Sequence, residues 1–250
     1  MLIVIDAGNT RTKWAQVQAD GSLTKMHAVT NATIATSALK KALEQADKVM
    51  IANVAGETFG QQLVEMVPEN TEMIFVKAQA EACSVVNRYE KKEDLGVDRW
   101  AAVVAAWHMN KQPSIVINAG TAITVDALSR DKATRTGTYM GGIILPGLQL
   151  MYKSLADNAV QLPSSLKGEC TDFPKNTHDA ITSGCINAVV GAVVLQLKRL
   201  EKHSAFLPKV VISGGDAVKI AEALNPQLKR VIIAENLVLQ GLALLEKENV

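Results

Sequence analysis

The string Val4-Ile5-Asp6-Ala7-Gly8-Asn9-Thr10 has a counterpart in Val116-Ile117-Asn118-Ala119-Gly120-Thr121-Ala122, so position 6 answers to position 118 in a chain of 250 residues. Each copy is an apolar β-branched run that ends in a short polar side chain and then a glycine. A period near half the length is the mark of one unit used twice. On two short strings alone, coincidence is the competing reading. If the repeat is real, whatever architecture suits the first copy must also suit the second. The expected arrangement is two α/β domains facing each other, residues 1–112 and 113–250, divided at the polar stretch Lys111-Gln112-Pro113-Ser114. The last helix is able to pack back on the first domain.

Hydrophobic patterning fills in both halves. Leu2–Ile5 reads as a strand, with Lys13–Val17 as its hairpin partner beyond a Gly-Asn turn. Ala38-Leu39, Ala42-Leu43 and Ala46 recur at helical spacing and predict an amphipathic helix within Thr33–Lys48. Val49–Val54 and Met73–Val76 read as strands on either side of a helix over Thr58–Val67. Trp100, Val103-Val104 and Trp107 mark one face of a further helix that Asp98 can cap. In the second half, strands are expected at Ser114–Asn118 and Ile123–Leu128. A helix follows Pro146-Gly147, then a polar loop near Pro163–Pro174 and a long helix over His178–Lys202. Strand Val210–Ser213, helix Asp216–Leu224, strand Val231–Ile233 and helix Glu235–Glu248 complete the chain. Such alternation predicts α/β layering.

Composition removes several classes of function. Lys and Arg number 26 against 25 Asp and Glu, which leaves no basic stripe for a nucleic-acid backbone. Aromatic residues are 4%, too few for a base-stacking platform. The apolar stretches Ala101–Trp107 and Val189–Leu197 are shorter than the roughly 20 residues that span a bilayer, and Met1–Asp6 lacks the basic start of a signal peptide. No membrane partner is therefore expected. Cys83, Cys170 and Cys185 are odd in number and form no CxxC pair, which fits a reducing cytoplasm. His27, His108, His178 and His203 lack metal-ligand spacing. The partner that remains is a small molecule.

Glycine turns offer a place for it. In Asp6-x-Gly8-Asn9-Thr10-x-x-Lys13, a glycine permits close backbone approach and the turn amides form an anion-binding concavity. Thr10 adds a hydroxyl, Lys13 a point charge, and Asp6 a carboxylate suited to hold Mg²⁺ through water. The competing reading is an ordinary Asp-Gly hairpin turn. Gly120-Thr121-Ala122 repeats the pattern, and Ser213-Gly214-Gly215-Asp216 is a strand–Gly-Gly–helix arrangement. Gly141-Gly142 with Pro146-Gly147 is a fourth glycine element. Neither GxxxxGK[ST] nor GxGxxG occurs, so the P-loop and Rossmann routes to a nucleotide are excluded. In Gly96-Val97-Asp98-Arg99, Asp98 reads as a helix cap, or as a carboxylate that accepts the proton of a substrate hydroxyl during phosphoryl transfer. Arg99 beside it suits an anionic group.

Together, in this order, the Asp6–Lys13 motif, Gly96-x-Asp98-Arg99, Gly120-Thr121-Ala122-x-Thr124, Gly141-Gly142 with Pro146-Gly147, and Ser213-Gly214-Gly215-Asp216 resemble the type III pantothenate kinases over nearly the full chain. That family belongs to the actin, hexokinase and heat-shock ATPase superfamily. The resemblance implies two duplicated ribonuclease-H-like α/β domains with a nucleotide cleft between them. It implies ATP-dependent phosphorylation of pantothenate to 4′-phosphopantothenate, the first step of coenzyme A synthesis. On this footing Asp6, Ala7, Gly8, Asn9, Thr10, Arg11, Thr12 and Lys13 bind the ATP phosphates and Mg²⁺. Thr121 contacts ATP from the second domain, with Gly214 and Gly215 at the adenosine. Asp98 is the proton acceptor, and Tyr89, Gly96, Val97, Asp98 and Arg99 line the pantothenate site.

Thr177 matches a substrate contact that reaches across a homodimer interface; without the family it reads as the cap of the long helix. Tyr89 likewise reads as a loop aromatic resting on the core. Asn118 stands where many members have an Asp that helps bind a monovalent cation, K⁺ or NH₄⁺, and offers a neutral carbonyl oxygen instead. Two alternatives stay open. One is a sugar or N-acetyl-sugar kinase of the same superfamily, although the Cys-rich zinc element common there is missing. The other is a non-catalytic nucleotide-binding regulator, which has no use for the Asp98-Arg99 pair.

Overall fold

The computed structural model describes residues 1–158, 168–226, 228 and 231–248. In chain order its elements are β1 (Leu2–Ala7), β2 (Arg11–Val17), β3 (His27–Thr30), α1 (Ala38–Leu43), β4 (Lys48–Asn53), α2 (Glu57–Met66), β5 (Glu72–Phe75), β6 (Glu81–Ala82), β7 (Val85–Asn87) and α3 (Val97–Asn110). They continue with β8 (Ser114–Ala119), β9 (Ala122–Arg130), β10 (Gly137–Pro146), α4 (Leu148–Asn158), α5 (Thr177–His203), β11 (Lys209–Ser213), α6 (Ala217–Leu224), β12 (Val231–Ile233) and α7 (Leu237–Lys247). Two compact units result, Met1–Lys111 with Asn236–Val250, and Gln112–Glu235. The final helix thus belongs to the first unit, whereas the linear division at 113–250 assigns it to the second.

In the first unit the strands run β3-β2-β1-β4-β5. The β3-β2-β1 edge is antiparallel, and β4 and β5 add in parallel. In the second unit β10-β9-β8-β11-β12 repeat that order, with antiparallel and parallel pairings in the same places. The repeated string is therefore the visible part of a repeated topology, two ribonuclease-H-like α/β units. Each copy of the string ends the middle one of the five strands of its unit. Such strands are buried on both faces and read as continuous apolar runs: Ile3, Val4 and Ile5 are fully buried, as are Ile115 and Ile117.

Alternation then assigns the faces. Ile3, Ile5, Val49 and Ile51 turn toward Leu39, Leu43, Phe59 and Leu63 of α1 and α2, while α3 and α7 pack together and against β4. In the second unit Ile115, Ile117, Val125, Val210 and Ile212 meet Leu148, Val189, Val193, Ile220 and Leu224 from α4, α5 and α6. α5 is 27 residues long, and by length and composition alone it could cross a membrane. Here its inner face, including Ile186, Val189 and Val193, supplies the core of the second unit.

Two local expectations need correction, and a third falls only partly within the described residues. The helix predicted over Thr33–Lys48 is a 3₁₀ segment, Asn31–Thr36, followed by the short α1. β-Branched Thr33, Ile34 and Thr36 are poor helix formers, and Ser37 is extended, its hydroxyl accepting from the Leu39 amide at 3.3 Å. Gly141-Gly142 is no turn: it lies inside β10 at a bulge, with Gly141 at φ +116°, a conformation that favours glycine. Of the polar loop near Pro163–Pro174, residues 163–167 lie outside the described residues and 168–174 are irregular.

Candidate functional site

The first glycine turn follows from strand register. Pairing of Asp6 with Lys13 and Ala7 with Thr12 leaves Gly8, Asn9, Thr10 and Arg11 to reverse the chain, and the Gly8 amide donates to the Arg11 carbonyl at 3.2 Å. The hairpin reading and the anion-turn reading describe the same object. Asn9, Thr10 and Arg11 are exposed at its tip, Gly8 is half-buried, and Ala7 is buried beneath. Thr12 is fully buried and its hydroxyl donates to Asn31 Oδ1 at 3.0 Å, so its side chain serves the turn from inside.

Register also brings the charges together. Lys13 Nζ lies 3.9 Å from Asp6 Oδ2, and the Asp6 side chain is 13% exposed. Burial pushes the Asp6 carboxyl up to about 6; Lys13 works against that rise and the Asp98 carboxylate adds to it. Asp98 is itself held above the ordinary carboxylate range by burial, opposed by the Arg99 amide and charge. Two partly desolvated carboxylates therefore share one end of the first sheet with one ammonium group. The positive charge such a pair lacks is what a divalent cation supplies. No group of three metal-ligating side chains occurs among the described residues, but Mg²⁺ bound with phosphates needs only one or two protein carboxylates. The donor set fits it.

Asp98 is not the helix cap. α3 starts at Val97, which is buried, and Gly96 occupies the cap position without a side-chain bond. Asp98 sits in the first turn, where the helix dipole favours its ionised form, and its Oδ1 accepts from the Arg99 amide at 2.8 Å. A Cβ on Gly96 would lie 2.7 Å from that oxygen, so glycine there leaves room for the carboxylate. Arg99 is 4% exposed, and its guanidinium carbon lies 5.9 Å from the Tyr89 ring centroid. Tyr89 is held in turn by Asn87, whose Oδ1 accepts its amide at 2.9 Å. Asn87 is 2% exposed and its Nδ2 donates to the Gln79 carbonyl at 3.0 Å. Sequence reasoning passed over Asn87 and Asn31, since each acts through backbone groups that only the folded pairing brings near.

The second unit builds its own turn. Ala119 pairs with Ile123, so three residues replace the four of the first copy. Gly147 donates its amide to the Thr121 carbonyl at 2.9 Å, and Asp216 donates to the Ala119 carbonyl at 3.2 Å. A Cβ on Gly147 would fall 2.2 Å from the Gly120 oxygen, and one on Gly214 2.3 Å from the Ala119 oxygen. Both glycines are thus required by close backbone approach, and Gly214 also has φ +111°. Gly215 faces open space. Thr121, Gly147, Gly214 and Gly215 therefore converge on one turn, while Gly141-Gly142 stays apart in the bulge. Half-buried Asn118 pairs across the sheet with Thr124, whose buried hydroxyl oxygen has no hydrogen-bond partner. Thr177 is exposed as the first residue of α5; the cap is Asn176, which accepts from the Asp179 amide at 3.0 Å.

Known proteins resemble this chain along its length. The sequence profile of the type III pantothenate kinases matches residues 2–199. The type III pantothenate kinase of Nitrosospira multiformis is 36% identical over 99% of this chain and 92% of its own. That of Aromatoleum aromaticum is 37% identical over 100% and 99%. Among solved structures, a Campylobacter jejuni protein described as belonging to the Baf family of transcriptional activators superposes with a TM-score of 0.62 at 22% identity, covering 99% of this chain and 98% of its own; at that identity the likeness speaks for the fold. With relatives this similar along its whole length, the chain belongs to the type III pantothenate kinases.

Proposed function

We propose that the family's reaction, transfer of the γ-phosphoryl group of ATP to the 4′-hydroxyl of pantothenate at the head of coenzyme A synthesis, is carried here by Asp98 as proton acceptor. The supporting observation is the pair of carboxylates, Asp6 and Asp98, each raised by burial and the first by the second. A bond forms between the pantothenate oxygen and the γ-phosphorus, the bond to the ADP oxygen breaks, and the hydroxyl proton passes to Asp98. A carboxyl raised by burial is a stronger base once ionised, and the dipole of the first turn of α3 favours the ionised form. The amides of Asn9 and Thr10 at the tip of the Gly8–Arg11 turn, the Thr10 hydroxyl and Lys13 bind the phosphates. Bound Mg²⁺, held at Asp6 through water, would supply charge neutralisation at the phosphate oxygens. Buried Arg99 against Tyr89, with Gly96 and Val97, holds pantothenate.

The second turn, with Thr121, Gly214 and Gly215, is assigned to ATP. The Asn118 carbonyl oxygen and the unpartnered Thr124 hydroxyl suit a monovalent cation, K⁺ or NH₄⁺. For a homodimer the support is the outer face of α5, where Gly184, Asn187, Ala188, Gly191 and Leu195 are exposed; exposed Thr177 is the residue assigned to the neighbouring site. A cytoplasmic location accords with three free thiols.

The test is Asp98→Asn in a coupled ADP-release assay, with pantothenate set against a panel of sugars. Turnover on pantothenate should fall about 10²-fold or more with MgATP affinity retained. Near wild-type turnover would remove Asp98 from the role of base.

A further inference from the structure

Asn31 stands outside every motif of the sequence yet bonds to three carbonyls of the first glycine turn. β3 places it there: Thr30 pairs with Arg11, so the residue just past the end of β3 lies beside the loop that precedes β2. Its Nδ2 donates to the Gly8 carbonyl at 2.8 Å and to the Asn9 carbonyl at 3.3 Å. Its Oδ1 accepts the buried Thr12 hydroxyl at 3.0 Å, and its own amide donates to the Thr10 carbonyl at 3.2 Å.

A peptide group is planar and trans, so fixing a carbonyl fixes the N–H on its opposite side. The Gly8 carbonyl shares a peptide with the Asn9 amide, and the Asn9 carbonyl with the Thr10 amide. One side-chain amide therefore draws both carbonyl oxygens inward and turns both N–H groups the other way. Carbonyl oxygens facing a polyphosphate would repel it; amide hydrogens attract it. Asn31 is itself immobilised by the Thr12 bond, so the turn is held in the anion-binding orientation before ligand arrives, which lowers the ordering cost of binding.

We infer that Asn31 is a positioning residue that presets the first turn for the phosphates of ATP, an inference that rests on reading the Gly8–Lys13 turn as the phosphate cradle. The experiment compares Asn31→Ala, Asn31→Asp and, as control on the cradle itself, Lys13→Ala. MgATP affinity is measured by calorimetric titration, with KM for pantothenate in parallel. Asn31→Asp preserves size and the acceptor for Thr12 but sets a carboxylate against the two carbonyls.

Asn31→Ala should weaken MgATP about tenfold, leaving KM for pantothenate within about twofold, and Asn31→Asp should weaken it further. A purely structural residue would instead lower the active fraction or both affinities alike. If Lys13→Ala weakens MgATP while Asn31→Asp and any folded Asn31→Ala bind as wild type, the clamp is wrong and the cradle stands. If Lys13→Ala also binds as wild type, the cradle reading fails and the clamp falls with it.

Discussion

Asp6 shows how a functional side chain can work against the fold that carries it. Its carboxyl ionises less readily in the folded chain, at about 6 against an ordinary 3.8. The folded state thus holds the proton more tightly than the unfolded one, and stability falls as pH rises between those two values. A rise of that size corresponds to at most about 3 kcal/mol, with the opposing effect of Lys13 already counted in it. Asn at position 6 removes the buried charge at any pH. We expect Asp6→Asn to raise the melting temperature at pH 7.5 by roughly 4–8 °C, on the scale of 2–4 °C per kcal/mol for chains of this length. Near pH 4 the gain should vanish, and turnover should be lost at both. Thermal melts of the ligand-free protein across pH 4–8 check this; an equal gain at both ends would mean that burial of the charge is not its source. The same ionisation should limit nucleotide binding, which needs Asp6 as an anion, so MgATP affinity should weaken as pH drops through about 6.

Elements, rather than single residues, decide where Asp98 and Arg99 stand. α3 is buried along almost its whole length, from Val97 through Trp107 apart from Asp98, and both Trp100 and Trp107 are fully buried. A helix apolar on every side needs neighbours on every side. α7 supplies one by coming so close that a Cβ on Gly241 would lie 2.0 Å from the Ala101 carbonyl oxygen. Backbone cannot yield as a side-chain tip does. Gly241→Ala should therefore destabilise by about 1–3 kcal/mol or more, in urea melts, and should raise KM for pantothenate because Ala101 follows Asp98 by one helical turn. Unchanged stability would show that α7 can move off α3 freely.

These contacts also mark where the sequence stops being legible. The doubled string exposes a doubled sheet because strand identity is written in local apolar runs, and the close approach at Gly214 is readable as glycine after a strand. The sequence points to a cap of α3 two residues too late because Asp is a good cap in isolation, whereas Gly96 holds that position here and leaves room for the carboxylate of Asp98. Asn31 and Asn87 could not be found at all: each bonds to carbonyls or amides of a turn, and every residue has those.

At the scale of the whole molecule, duplication of topology does not mean duplication of independence. The second unit is one continuous stretch, Gln112–Glu235, with all five of its strands and the α4–α6 layer. Its core, from Ile115 and Ile117 to Ile220 and Leu224, is drawn wholly from that stretch. The first unit is interrupted: its polypeptide leaves at Lys111 and returns at Asn236, and the returning segment includes buried Leu237, Leu239, Leu242 and Leu245. Lys48 binds the same segment through Glu246 at 3.2 Å, and the Cys83 amide donates to Glu248 at 2.6 Å. Residues 1–111 alone would leave in water the side of α3 that meets α7, and burial of one large apolar side chain contributes about 1.5–3 kcal/mol. Against a net stability on the order of 5–15 kcal/mol, losing a whole apolar helix should be decisive. A fragment of residues 112–235 is therefore expected to unfold cooperatively in urea, followed by circular dichroism. Residues 1–111 should show no such transition, and should regain one when residues 236–250 are fused after Lys111 through a flexible linker. A cooperative transition in 1–111 alone would mean that α7 covers the first unit without holding it together.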